Sequence, residues 1–533
     1  MNVSRRAVLG ALAASIAGSA ALSSCSPATR TTRHPVEARV TVGYTGGGCV
    51  SGRFESAADR HLYETGDGDL LPDFGRVGYR LGERPIPHVQ TVLRVRPVKG
   101  DNTAHLQRAI DTVAARPLVA GARGALQLLP GIYEVGGTLT LTRSGVVIRG
   151  AGDGEDPSSN TIVRAVGRAS SRGDVLVVGA GGSWVGMLDR RLTEVTSRDV
   201  PMGASELSVA DPSRVRAGDL VVITHPCTRA WLEAIGGGGT GADRPWAPGS
   251  TPIQYLRRIV CIESDVLTLD APLFYRLDRS LSRSRLHVWD KRGLIGEVGV
   301  EGLRIDIAAQ DPENEDHAKN GIVLRNVVNS WVRDCTVLNF AKAGVMSVGA
   351  TRTTVANCRA LSPAAPVERG RRYNFDAEER SQLVLFTSCH ATAGRHSFIV
   401  NGGSSASGIV FHRTTSTGSL ASSEGHRAWS QGLLFDNHTE LAPVTSRAIL
   451  LGNRGDYGTG HGWGAVNSVA WATRTSGARV VVQRPPTAQN YAIGCTGPVD
   501  GDGPFEQPTG WIEDTGRSDL WPASLYEAQR GAL

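Results

Sequence analysis

Five short segments of this 533-residue chain gather His, Arg, Lys and Trp beside glycine. They read Asp316-His317-Ala318-Lys319-Asn320, Gly370-Arg371-Arg372-Tyr373-Asn374-Phe375-Asp376, Gly394-Arg395-His396-Ser397-Phe398, Glu424-Gly425-His426-Arg427-Ala428-Trp429-Ser430-Gln431 and Gly460-His461-Gly462-Trp463. Imidazole exchanges a proton near neutral pH, and guanidinium groups bind and neutralise carboxylates. The combination suits abstraction of a proton beside a carboxylate and stabilisation of the enolate that forms. His396 and His426 are the expected proton-transfer residues, because each has an arginine neighbour whose like charge lowers its pKa. Lys319, Arg395 and Arg427 complete the expected catalytic set. His317, Arg371, Arg372, Tyr373, Trp429, His461 and Trp463 are expected to bind the ligand. The competing account makes each of them a solvated corner residue or a loop-packing aromatic.

Such residues act together only if the backbone brings them to one face, and a repeat provides the means. Residues 331–336 read WVRDCT, 353–359 TTVANCR, 384–390 VLFTSCH, 409–415 IVFHRTT and 433–439 LLFDNHT. Each copy alternates apolar and polar residues, which argues strand. The period of about 22 to 31 residues is that of a stacked solenoid. Cys335, Cys358 and Cys389 fall in one register, continued by Thr414 and His438, and are expected as an inward stack of free thiols. The five segments flank successive coils, so stacking would set them in layers about 5 Å apart on one face. Gly100-Asp101-Asn102-Thr103 then leads into AHLQRAIDTVAA, a short amphipathic helix positioned to cap the first coil and hide its strand edges. Residues 195–275 alternate without the coil register and are expected as a small β insertion. Its Gly-rich loop, 236–249, lacks the Lys-Ser/Thr of a phosphate-binding loop and is expected as a flap beside a groove.

The first 25 residues read as an export signal rather than fold. Arg5-Arg6 before an apolar stretch suggests twin-arginine export, and Leu22-Ser23-Ser24-Cys25 resembles a lipobox whose Cys25 carries the lipid. Residues 26–37 form a tether, 38–100 an N-terminal extension, and 101–533 the solenoid. The expected location is the outer face of the cell membrane, lipid-anchored, or the medium. The net charge of +6 is small for this length, and without a basic run interleaved with aromatics nucleic acid is not an expected partner. A monomer is expected. No cofactor is expected; Asp311, Glu313, Asn314, Glu315 and Asp316 are the oxygen donors that would suit calcium. No cysteine pair has zinc-site spacing.

The phrase GALQLLPGIYEVGGTLTL followed by RSGVVIRGAG, ending at Gly152, resembles the pectin-lyase-like superfamily of right-handed parallel β-helices. Residues 290–527, with phrases such as NSWVRDC, GRRYNF, GRHSF and HRAWSQGLLFDN, resemble secreted bacterial pectate-lyase-like proteins. The resemblance implies an all-β right-handed parallel β-helix with a capping helix and a polysaccharide ligand in a side groove. It does not imply one reaction, because this architecture carries several. Elimination on a uronate-containing polysaccharide is the expected activity. Hydrolysis is the alternative, needing two carboxyl groups about 5–9 Å apart, for which Asp316, Asp376, Glu424 and Asp436 are available. A non-catalytic carbohydrate-binding lipoprotein is the third reading. The chain departs from two family patterns: it has no adjacent Asp-Asp, as polygalacturonases require, and no Arg-x-Pro-x-x-Arg phrase of the calcium pectate lyases.

Overall fold

Each repeat phrase ends in a corner, and the corner explains the phrase. Asp334, Asn357, Ser388, Arg413 and Asn437 all have φ between 51° and 55°. This is the left-handed region that Asn and Asp tolerate best among residues with a Cβ. One such residue per coil turns the chain from a first parallel sheet into a second. The next residue then points inward: Cys335, Cys358 and Cys389 are buried free thiols. Their Sγ atoms lie 3.8, 3.7 and 3.5 Å from the carbonyl oxygens of Val300, Val332 and Val355, respectively. Thr414 continues the column and meets His438 at 2.9 Å.

The computed structural model describes residues 71–531 apart from 168–172, 182–187, 242–243, 290–292 and 518. The expected signal, tether and lipidation site at Cys25 therefore lie outside the described residues. The solenoid is an all-β right-handed parallel β-helix. Its first sheet runs from Thr91–Val95 to Trp511–Glu513, its second from Gly131–Val135 to Arg474–Thr475, and its third from Leu139–Leu141 to Val499–Asp500. Like side chains stack from coil to coil. Phe386, Phe411 and Phe435 lie 5.3 and 4.9 Å apart in one column, and Phe375 and Phe398 lie 5.1 Å apart in another. The helix Thr103–Ala114 buries Leu106, Ala109, Ile110 and Val113 against the first coil, removing an apolar end from water.

A six-stranded antiparallel sheet, between Leu188–Glu194 and Arg285–Trp289, occupies the interval expected to interrupt the coils and runs past it on both sides. It packs on the outer face of the first sheet. Val221, Ile223, Tyr255 and Phe274 share a second core with Leu383, Val410 and Leu434, joined by Phe74, Val77, Leu525 and Tyr526. Gln382 ties the layers: its Oε1 accepts from Leu256 N at 2.9 Å and its Nε2 donates to Gln254 O at 2.7 Å. The Gly-rich loop is not a free flap. Trp463 N donates to Gly238 O at 2.9 Å, Asn453 Nδ2 to Gly239 O at 2.9 Å, and Trp246 Nε1 to Gly460 O at 3.2 Å. The loop is thus docked on segment 453–463 of a late coil.

This docking corrects two expected ligand platforms. Trp429 is 0% exposed and meets Trp231, Trp246 and Tyr275 edge-on at 5.6, 6.3 and 5.7 Å. Trp463 is buried in the same core. Both are packing residues, because the inserted sheet covers the face that they line.

Candidate functional site

The third sheet presents the chemistry. Phe375, Ala377, Phe398 and Val400 belong to the solenoid core. Strand alternation therefore turns Asp376, Ile399 and Glu424, which share one row, to the outer face. At the entry of the same strands Tyr373 pairs with His396. The rings of Tyr373, His396, His426 and His461 form a chain with centroids 5.4, 4.8 and 5.0 Å apart.

Glu424 is the hub. It is wholly buried, its Oε2 accepts from Ser422 Oγ at 2.6 Å and its Oε1 from His426 Nδ1 at 2.6 Å. Arg454 Nη1 forms an ion pair with the same Oε1, and His396 Nδ1 lies 3.4 Å from it. Burial alone would raise this carboxyl, but Arg454, His396 and His426 hold it well below the ordinary carboxylate range. The two imidazoles respond oppositely. Burial lowers His396 to about 4, with Arg454 and Arg395 adding and Glu424 opposing. Burial lowers His426 to about 3, opposed by Glu424, and lowers His461 to about 4, helped by Arg454 and Arg427. All three are neutral at pH 7.

Hydrogen bonding sets the tautomers. His396 Nδ1 lies 2.7 Å from the Ser422 carbonyl, which only accepts, so Nδ1 carries the proton and Nε2 is bare. That Nε2 is buried without a partner. His426 Nδ1 faces a carboxylate, so its Nε2 is bare as well. The ligand atoms of His396, Glu424 and His426 lie within 4.8 Å of one another, close enough for one cation. The donor set does not fit one: His396 Nδ1 is engaged as a donor, and Arg454 already neutralises Glu424. The acidic run 311–316 is also occupied internally. Asp311 Oδ1 accepts from Glu313 N and Asn314 N, both at 2.9 Å, and Glu315 pairs with Arg371 at 2.6 Å.

A second group lies on the same face two coils before Glu424, on the strand that carries Tyr373. Asp376 is fully buried; no donor group meets either carboxyl oxygen, and its polar neighbour is the Glu378 carboxyl. Burial and the neighbouring Glu378 push it well above the ordinary range. Glu378 itself pairs with Lys342 at 2.7 Å and with Asn401 at 3.2 Å.

Of the residues expected from sequence, the fold brings together Tyr373, Arg395, His396, His426 and His461. Arg427 joins them at the rim, where its Nη2 lies 2.5 Å from Glu379 and Ala428 N donates to His461 O. Lys319 is exposed two coils below Tyr373, its carbonyl accepting from Lys342 N at 2.8 Å. Three expected ligand-binding residues are instead structural. His317 is 1% exposed, with Nδ1 on Ala318 O at 3.0 Å and Nε2 on Asn314 O and Ala364 O at 2.7 and 2.9 Å. Arg372 is buried and donates to the carbonyls of Ala365 and Pro312. Arg371 is held by Glu315. Asp436, one of the carboxyls considered for hydrolysis, accepts from Ser524 Oγ and Tyr526 N and fastens the last helix. Sequence reasoning missed Ser422, Lys342 and Arg454. The coil offset offered a signal for Arg454, since it stands one coil after Glu424.

No protein-family model matches the sequence, and no curated protein matches it. Solved structures similar to it include the tailspike protein gp49 from Pseudomonas phage LKA1. That likeness has 14% identity over 78% of this chain and 69% of that one, with a TM-score of 0.44. Another is the polygalacturonase from Erwinia carotovora ssp. carotovora, at 9% identity over 81% and 95%, TM-score 0.34. A third is the alginate lyase from Paenibacillus sp. str. FPU-7, at 9% identity over 80% and 99%, TM-score 0.30. At such identities these likenesses assign no reaction.

Proposed function

We propose that this protein is an exported polysaccharide lyase that cleaves a uronate-containing chain by β-elimination at the Tyr373–His396–His426–His461 cluster. The observation that carries the proposal is the pair of neutral imidazoles sharing the buried Glu424, each with a bare Nε2. His426 is the base, because His396 Nε2 is sealed from solvent whereas His426 keeps a 6% exposure. Its Nε2 takes the proton at the carbon beside the substrate carboxylate. The bond from the next carbon to the glycosidic oxygen then breaks, a carbon–carbon double bond forms, and the imidazolium returns the proton to the leaving oxygen. Glu424 stabilises the transient imidazolium, while Arg395 and Arg427 neutralise the carboxylate and its enolate. Lys319 extends the basic edge along the solenoid.

One observation favours a second reading. The buried Asp376 carboxyl, raised by burial and by the neighbouring Glu378, has the form of a proton donor next to a carboxylate, as hydrolysis would use. One experiment separates the two. The protein is incubated with a panel of acidic polysaccharides, and absorbance in the unsaturated-uronate band is read beside reducing ends. Elimination gives both signals, hydrolysis the second alone, and a binding protein neither. For the lyase, His426→Ala should lower the rate about 10²-fold or more with the fold intact. Reducing ends without unsaturated product, or full activity in His426→Ala, refutes elimination at this site.

A further inference from the structure

We propose that Tyr457 is a sugar-stacking platform of this site, seating the C–H face of a pyranose one or two residues along the polysaccharide from His426. The inference rests on the polysaccharide reading above and adds a subsite to it. Tyr457 is 48% exposed, the one exposed large aromatic in the segment that carries Arg454 and His461. Its ring is braced edge-on by Phe505 at 4.9 Å. Phe505 in turn occupies the space of a missing side chain: a Cβ on Gly455 would lie 2.5 Å from its ring, and Gly455 has φ 55°. The Arg454 guanidinium carbon lies 6.0 Å from the Tyr457 centroid, and its Nη1 holds Glu424.

The segment Tyr457–Gly460 is a tight turn in which Gly458 and Gly460 take φ of 63° and 80°, and it ends at His461. A Cβ on Gly458 would meet the His461 ring at 2.7 Å, so that ring lies against the turn. From His461 the next ring is His426, at 5.0 Å. The path from platform to base runs through Arg454, whose guanidinium lies beside the Tyr457 ring and pairs with the Glu424 that accepts from His426 Nδ1. The turn is also held from outside, since Arg244 Nη1 donates to Gly458 O at 2.9 Å and Trp246 Nε1 to Gly460 O at 3.2 Å. A braced, half-exposed aromatic beside a charged cluster suits a ligand with both C–H faces and carboxylates, because stacking then needs little further ordering of the ring.

The test uses the full chain carrying His426→Ala, so that nothing is turned over. Affinity is measured by calorimetry for hexasaccharides and disaccharides of polygalacturonate, of alginate and of a glucuronate-containing glycosaminoglycan. Adding Tyr457→Ala should weaken the hexasaccharide that binds by about five- to tenfold, leaving disaccharide affinity unchanged. Tyr457→Phe should stay within about twofold, because stacking needs the ring and not the hydroxyl. Equal hexasaccharide affinity with and without Tyr457→Ala overturns the platform while leaving the site. A folded parent that binds none of the three overturns both the platform and the uronate reading.

Discussion

Replacing Glu424 by Gln removes one charge from a buried pair and leaves its shape. Glu424 is the only ion-pair partner of Arg454 among the described residues, and their side chains are 0% and 11% exposed. Arg454 Nε is already buried without a partner. At an effective dielectric of about 20, the attraction of such a pair at about 4 Å is roughly 4 kcal/mol. Removing one partner of a buried pair costs about 3–5 kcal/mol, largely because the other charge is stranded. Glu424→Gln should therefore lower the stability by about 3–5 kcal/mol, read as a shift in denaturation midpoint at constant slope. Arg454→Met alone should cost a similar amount. The double variant strands no charge and should lie within about 2 kcal/mol of the parent, a coupling well above the additive expectation for independent sites. Losses that add, or a Glu424→Gln variant within about 1 kcal/mol of the parent, would refute the buried-hub account.

Stability should also fall as the medium is acidified. His396 and His426 have folded values of about 4 and 3 against 6.5 for free imidazole. The unfolded chain therefore binds the extra protons below about pH 6.5, and stability declines from there as pH drops, by on the order of 3 kcal/mol per imidazole. A denaturation midpoint unchanged between pH 7 and pH 4.5 would contradict this. Trp429→Ala should cost about 3–5 kcal/mol as a cavity in the second core and leave oligosaccharide affinity unchanged. Weaker binding at unchanged stability would restore Trp429 to the ligand surface. Cys25→Ala should move the protein from the membrane fraction to the soluble fraction, and continued membrane association would remove the lipobox reading.

The repeat made the solenoid legible because a parallel β-helix is built from register. A residue's place in its coil sets its direction, and the next coil repeats that place one strand spacing on. Hence the inward thiols of Cys335, Cys358 and Cys389, the capping helix and the shared face of Tyr373, His396 and His426 could all be read from spacing, whereas the left-handed φ of the corner residues came from the structure. Tertiary structure decided what lies on top. Which sheet face stays open depends on where the inserted sheet docks, and its apolar pattern fits any apolar face equally well. Its docking on the first sheet buried Trp429 and Trp463 and pinned segment 453–463. That pinning brought Arg454 and His461 to Glu424 and His426. His317 and Arg372 resemble ligand-binding residues in sequence, but their donors are taken by loop carbonyls that only the folded chain places within reach. Periodicity is local and survives in one dimension, whereas the partner of a buried charge is a matter of distance in three.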